Sequence, residues 1–336
     1  MPKFEINYLL TIFSNLSFSP SLILLLAAFE DYLIGDPWGW LHPVQVIGRL
    51  IQRFSELALK FCSPGWQRRL AGVVLCLSIV AGTGLCGWLI VFCCTIIYSG
   101  LGFTVKTILL ASCFAGKSLR MAVQDVLQPL QQNNLSQARS RLSLYVGRDT
   151  DSLSQAEILR ALLETVAENA VDGVTAPLFY AIVGSFSSIG SVPLALAYKA
   201  ASTLDSMIGY LREPYYDLGW FSAQLEDRLT WLPCRLTVVT LSLLSRRPLQ
   251  VWKICRRDGI KDPSPNSGWS EAAYATILKV RLGGKNTYQG VIKEKPLLGD
   301  DIEPISVAKI NSAFSLTRYC FLTWLTIAVF ALWQLS

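Results

Sequence analysis

Four stretches without Asp, Glu, Lys or Arg set the pattern of this chain: Ile6 to Phe29, Leu70 to Val105, Gly173 to Tyr198 and Tyr319 to Ser336. A bilayer core of about 30 Å is crossed by about 20 apolar residues in a helix. The first three stretches are long enough, and the fourth stands at the limit, with Trp324 and Trp333 where an aromatic belt would lie. The pattern predicts an all-α, polytopic helical membrane protein, one integral membrane domain over 1–336 with about four full spans, shallow or re-entrant segments and cytoplasmic amphipathic helices. Spans are expected over 6–29, 70–98 and 319–335, with a shorter return over 102–116 that Lys106 interrupts. Pro20 within the first window, and no clear small-residue cleavage site before Glu30, favour a retained span over a cleaved signal peptide. Residues 173–198 hold Pro177, Gly184, Gly190, Pro193 and a serine cluster, a composition suited to a broken or re-entrant segment packed in protein.

Between the apolar stretches the period changes. Residues 117–172 read as amphipathic helices with a turn near Gln131–Leu135, marked by two asparagines. Residues 199–318 read as a second cytoplasmic lobe, with a shallow segment over 231–245, a Pro/Asn/Gly turn cluster at Asp262–Gly268 and the pair Gly283–Gly284. No internal repeat is visible, which argues against a solenoid or a carrier built from duplicated halves.

With 52% hydrophobic and 16% charged residues and a mean hydropathy of +0.40, the chain is too apolar for an ordinary soluble domain of 336 residues. The net charge of +6 is a topology signal first. Arg49, Arg53, Lys60, Arg68 and Arg69 follow the first span, so the positive-inside rule keeps residues 30–69, 117–172 and 246–318 in the cytoplasm, as expected for a multi-pass protein of the inner cell membrane. No Lys/Arg–aromatic pattern suggests nucleic acid. Nine cysteines without a C-x-x-C pair, and a single histidine, argue against structural zinc.

The candidate chemistry starts at Ser154, which with Glu157 matches a capping box. Glu157, Arg160, Glu164 and Glu168 then share one helical wedge. In a purely structural reading Glu157 caps and Arg160 pairs with Glu164 one turn on. Glu164 and Glu168 repel one another and lead into Asn169 and Asp172, a set of hard oxygen ligands suited to Mg²⁺. Upstream, Gly147-Arg148-Asp149-Thr150 combines a turn, a guanidinium and two cap candidates able to hold a phosphate or serve as a plain loop. Lys199, Thr203, Asp205 and Ser206 stand where the broken segment leaves the membrane, as site residues or as interfacial anchors. Glu226–Asp227 form a further acidic corner, and Asp31, Asp36 and His42 follow the first span.

In order and spacing these pieces resemble the CobD/CbiB family of cobalamin biosynthesis, the membrane-bound adenosylcobinamide or adenosylcobinamide-phosphate synthases. The likeness is carried by Gly35-Asp36-Pro37 with His42-Pro43-Val44, Gly147-Arg148-Asp149-Thr150, Ala167-Glu168-Asn169 with Asp172-Gly173, and Ala176-Pro177-Leu178-Phe179. It continues through Tyr198-Lys199, Thr203-Leu204-Asp205-Ser206-Met207, Ser264-Pro265-Asn266 and Arg281-Leu282-Gly283-Gly284. The resemblance implies an ATP-dependent carbon–nitrogen ligase that joins adenosylcobyric acid to (R)-1-amino-2-propanol or its O-phosphate through an acyl phosphate, with Mg²⁺ assisting. It implies Glu164, Glu168, Asp172 and Asp205 as catalytic groups, and Glu168, Asp172, Asp205 and Asp227 toward the metal. Arg148, Asp149, Thr150, Asn169, Lys199, Thr203, Ser206, Asn266 and His42 are then the substrate or phosphate contacts. Implied partners are the corrinoid, the amine, ATP and the bilayer, with room for contacts to other corrinoid-pathway enzymes. The chain departs from the family pattern at Glu226–Asp227 (Asp–Asp expected), Ala223–Gln224 (Ala–Arg), Ser202–Thr203 (Asn–Thr) and Asp262–Pro263 (His–Pro). Gln224 and Asp262 each remove a cation.

No P-loop or dinucleotide fingerprint occurs, so ATP would use an unconventional site. Two rival readings are an ion-coupled small-molecule transporter and a non-catalytic scaffold. Most of the acids lie in the predicted cytoplasmic segments rather than at mid-membrane, which favours an enzyme over a carrier.

Overall fold

Apolar helices dominate the computed structural model, which describes residues 19–35, 42–210 and 212–335. The start of the expected 6–29 span and the pair Asp36–Pro37 lie outside these residues. Along the chain run α1 (Pro20–Leu33), α2 (Pro43–Phe61), α3 (Trp66–Ile97), α4 (Ser99–Ala111), α5 (Gly116–Gln131) and α6 (Leu135–Leu142). Then come α7 (Gln155–Asn169), a π turn (Ala170–Thr175), α8 (Ala176–Ser185), α9 (Ser191–Ile208) and α10 (Trp220–Leu244). The chain continues with α11 (Pro248–Arg257), α12 (Ser267–Leu278), β1 (Leu282–Tyr288), β2 (Val291–Leu298) and α13 (Val307–Leu335).

Local chemistry accounts for several boundaries. Ser19 caps α1 and Pro20 takes its first turn, where no backbone N–H is needed, so Pro20 starts a helix rather than interrupting one. The asparagine turn falls where expected: Asn133 adopts φ 57° and Asn134 accepts from Gln137 N to start α6. Residues 173–198 contain the turn between α8 and α9.

Among the described residues, three stretches are long and apolar enough to cross a membrane: Trp66–Ile97, Ser99–Gln131 and Val307–Leu335. The described residues thus support three spans of the expected four. The middle stretch includes the 112–115 turn, and its apolar part, α4, is about 20 Å long at 1.5 Å per residue.

The all-α expectation is corrected by the antiparallel hairpin β1–β2. Its turn is closed by Gln289 and Gly290, both at positive φ (52° and 78°), the geometry that matches the twist of paired strands. A bulge between Leu282 and Gly284 holds Gly283 and Gly284 at φ 81° and 88°. A Cβ on Gly283 would lie 1.9 Å from Pro296 O, so only glycine fits there.

Contacts divide the chain into two compact units. One comprises Met1–Phe114, Pro177–Glu226 and Thr323–Ser336, the other Ala115–Ala176 and Asp227–Leu322. In the first, Ile47 and Ile51 of α2, Leu75 and Ile79 of α3, and Leu204 and Ile208 of α9 form a core. Gly84 and Gly87 let α3 approach α9 at Pro193 and Leu196, the small-residue packing by which apolar helices associate. In the second unit, α7 packs on α12 and on the hairpin.

Candidate active site

The capping box fixes the start of α7: Ser154 Oγ accepts from Glu157 N at 3.3 Å, and Glu157 Oε2 accepts from Ser154 N at 2.7 Å. These bonds hold the Glu157 carboxyl below its usual range. Glu157 is therefore a cap, as the structural reading expects. Glu164 and Glu168 follow two and about three turns on. Near the end of α7, Ser270 Oγ donates to Ala167 O at 2.5 Å. That buried bond fastens the start of α12 beside Glu168, so Glu271, the next residue along α12, enters the same region. The helix then loosens into the π turn, where Thr175 Oγ1 bonds Ala170 O at 3.2 Å and meets Thr237 Oγ1 at 2.7 Å. Such turns are frequent at functional sites, and Asp172 rides on this one, half-buried.

Two polar clusters result. In the first, Glu164, 3% exposed, forms a short ion pair with Arg148 and accepts from Gly283 N at 2.9 Å. Asn286 Oδ1 accepts from Arg148 Nη1 at 2.8 Å and from Arg160 Nη2 at 3.1 Å, while Arg160 also donates to Gly283 O and Lys285 O. Arg160 therefore anchors the hairpin rather than pairing with Glu164 as the structural reading expects, and Arg148 is engaged by Glu164 and Asn286. Asp149 likewise closes the hairpin turn, accepting from Gln289 N at 2.9 Å and Gly290 N at 2.8 Å. Thr150 is buried, its carbonyl accepting from Leu153 N.

In the second cluster the balance reverses. Glu271 is fully buried, and among the described residues neither of its carboxylate oxygens has a hydrogen-bond partner. Lys295 Nζ, on a partly exposed side chain, lies 3.7 Å from Glu271 Oε1, an ion-pair distance too long for a hydrogen bond. Burial pushes the Glu271 carboxyl well above the usual carboxylate range; Lys295 opposes that push, and Glu164, Glu168 and Asp262 add to it. Glu168 is open to solvent on one side yet crowded by protein, and that crowding raises its carboxyl against the pull of Lys295. Burial alone would lower the Lys295 ammonium, but Glu271, Glu168, Asp262 and Glu164 together raise it. Asp262 Oδ1 accepts from Ser264 N at 2.9 Å while its buried Oδ2 is unmatched. Asn266 donates to Asp227 O at 2.8 Å while its buried Oδ1 is unmatched.

The other expected residues are placed as follows. Asn169 Nδ2 donates to Thr165 O on its own helix. Asp227 is half-buried, and burial raises its carboxyl. Lys199, Thr203, Asp205 and Ser206 share α9 in the first unit, where the Thr203 and Ser206 hydroxyls donate back to Lys199 O and Ser202 O. His42 caps α2, its Nδ1 accepting from Val44 N at 3.3 Å. Glu271, Lys295 and Asn286 were not anticipated from the sequence.

The acids do not form a metal cage: among the described residues no group of three or more His, Cys, Asp or Glu is arranged to hold an ion. Glu168, Asp172 and Asp227, all of the second unit, form no such group.

The sequence model of the family described as CobD/Cbib protein matches residues 24–317. A protein of Synechocystis sp. named cobalamin biosynthesis protein CobD is 56% identical over 297 residues, covering 88% of this chain and 87% of its own. A CobD of Halalkalibacterium halodurans is 42% identical, covering 90% and 94%, and a cobalamin biosynthesis protein CbiB of Salmonella arizonae is 41% identical, covering 85% and 89%. No solved structure matches.

Proposed function

The chain belongs to the CobD/CbiB family of cobalamin biosynthesis proteins, and from that premise we propose that it is an ATP-dependent ligase that makes the amide between adenosylcobyric acid and (R)-1-amino-2-propanol or its O-phosphate. One observation carries the reading: the buried oxygens of Glu271, Asp262 and Asn266 that have no donor among the described residues. An alkylammonium brings three donors and no acceptor, so it supplies what these atoms lack.

Amide formation from a carboxylate needs a leaving group. A corrinoid carboxylate oxygen attacks the terminal phosphorus of ATP, the bond to ADP breaks, and an acyl phosphate forms. The amine nitrogen then attacks the acyl carbon; the C–N bond forms, the C–O bond to phosphate breaks, and inorganic phosphate leaves. Of the two protons the ammonium nitrogen gives up, the first passes to a carboxylate before the attack and frees the lone pair, and the second leaves with inorganic phosphate. The burial of Glu271 and the crowding of Glu168 raise both carboxyls, which makes their anions stronger bases for that transfer. Lys295 offers a partly exposed cation to the transferring phosphoryl group, and the unmatched Asn286 Nδ2 offers a donor to a substrate oxygen. ATP is read as its Mg²⁺ complex, the metal neutralising phosphate charge. Glu164 then acts through position, holding Arg148 and the Gly283 turn. The basic loops favour an inner-membrane protein with this site toward the cytoplasm.

The test supplies detergent-purified protein with ATP, Mg²⁺, adenosylcobyric acid and each form of the amine, and reads the amide by mass spectrometry. Amide with concomitant ADP is expected. Absence of product with both amines, from substrates that a known relative converts, overturns the ligase.

A further inference from the structure

In the first unit a cavity of about 350 Å³ lies where the α8–α9 turn meets α3 and α4; Trp88, Thr95, Lys106, Ser187, Ser191 and Pro193 are among its lining residues. A second cavity of about 490 Å³, almost wholly apolar, runs from Leu77 through Ala81 and Gly84 along α3 against Leu194 and Ala197 of α9. The two share Trp88, Ser188, Ile189 and Pro193, so a polar chamber continues into an apolar groove.

Depth matches a bilayer. Trp88 stands nineteen residues along α3 from Arg69, about 28 Å at 1.5 Å per residue. That is close to the about 30 Å of a hydrocarbon core, so if Arg68 and Arg69 mark one interface, Trp88 marks the other. From Trp88 back to Leu77 the groove covers about 16 Å, the depth of one leaflet. Among the described residues Lys106, half-buried, is the one Lys or Arg lining the chamber, no acid lines it, and Lys106 makes no ion pair. At interface depth its ammonium stands at the level of the lipid headgroups, where it attracts an anionic phosphate. Gly190 gives α9 no side-chain cap, which leaves backbone N–H groups at the same wall.

We infer that this is a site for one anionic phospholipid of the leaflet remote from Arg68 and Arg69, its phosphate against Lys106 and an acyl chain in the α3–α9 groove. The inference is independent of the ligase reading. Native mass spectrometry of the full chain in detergent, given phosphatidylglycerol or phosphatidylethanolamine, compares wild type with Lys106→Gln and with Ala81→Trp. Position 81 is exposed, so the tryptophan fills the groove without entering the core. Lys106→Gln is expected to weaken phosphatidylglycerol retention about five-fold, the effect of one lysine on an anionic lipid, and to leave phosphatidylethanolamine unchanged. Ala81→Trp is expected to weaken both. A photoreactive acyl chain should label peptides within 77–95 or 184–197. Wild-type retention in both variants, labelling only elsewhere, or a photoreactive residue at position 81 that captures the segment before Ser19 instead of lipid would each overturn the site.

Discussion

Around Arg148 and around Glu271 the same unit builds two polar regions against α7 and the hairpin and leaves them in opposite states. Glu164 takes its bonds from Arg148 and Gly283, and Asn286 Oδ1 takes two guanidinium donors, so only the amide nitrogen of Asn286 is left over. Around Glu271 the acceptors outnumber the donors, and the nearest cation stands 3.7 Å away. A satisfied buried network rigidifies what it joins. An unmatched buried group costs about 1–3 kcal/mol, and in a folded protein such a group calls for an explanation such as a ligand. The contrast separates residues that hold the hairpin in place from residues left with unmatched acceptors, although all are polar and near one another.

The largest effect should come from the closed region. Arg148→Ala leaves Glu164 buried with one backbone donor, and loss of one partner of a buried pair costs about 3–5 kcal/mol. A large fall in melting temperature in detergent is expected, with Glu271 still in place. Unchanged melting would mean that the Arg148 network does not brace the hairpin. Glu271→Gln should do the reverse. Lys295 keeps Glu168 and Asp262 nearby, so melting should hold, while turnover falls about 100-fold, the usual contribution of a positioned proton acceptor. Turnover near wild type in a folded Glu271→Gln protein would remove Glu271 from the chemistry.

Next in size is the dependence on pH. The folded state raises the Glu271 carboxyl above its unfolded value of 4.5, so it binds that proton more firmly than the unfolded chain does. Stability from this group is full below pH 4.5 and is lost as pH rises toward the folded value, by up to about 1.4 kcal/mol per pH unit. Glu168 has the same sign. Asp258 has the other: burial would raise it, but bonds from Arg257 and Gly299 N hold it below 3.8, so its contribution is present above that value and disappears in acid. Melting curves from pH 4 upward should therefore decline less steeply in Glu271→Gln than in wild type. Identical slopes would show that Glu271 does not carry this linkage.

Much of this was legible before any coordinates. The capping box and the asparagine turn follow from local chemistry, and local chemistry is what sequence displays. Glu164 and Glu168 stood out because like charges one turn apart need a reason. The hairpin was missed because Lys285 to Lys295 is rich in charge, and Gln289–Gly290 is a weaker turn signal than Asn–Gly. Glu271 did leave a trace: it is the one charged residue in Ser267–Leu278, among alanines and aromatics. Lys295 left none, because Lys293-Glu294-Lys295 reads as a solvated strand until the hairpin folds over α12. The contacts of Arg148 were unreadable for a related reason. Its partner lies 16 residues away and its second contact 138, and no local pattern displays bonds over such separations.

The smallest effect tests whether the division holds along one helix. Ser154 and Glu157 exchange bonds at the exposed start of α7, and Glu168 sits near its other end. Ser154→Ala removes one capping acceptor, which costs about 1 kcal/mol, and it lets the Glu157 carboxyl drift back toward its ordinary value. Since Ala167 is fastened independently by Ser270, the far end of the helix should keep its place. A slight fall in melting temperature with unchanged turnover per folded molecule is expected. If Ser154→Ala instead lost turnover as deeply as Glu271→Gln, then α7 would transmit its cap to its chemistry, and the bracing and reacting groups would be one cooperative network rather than two.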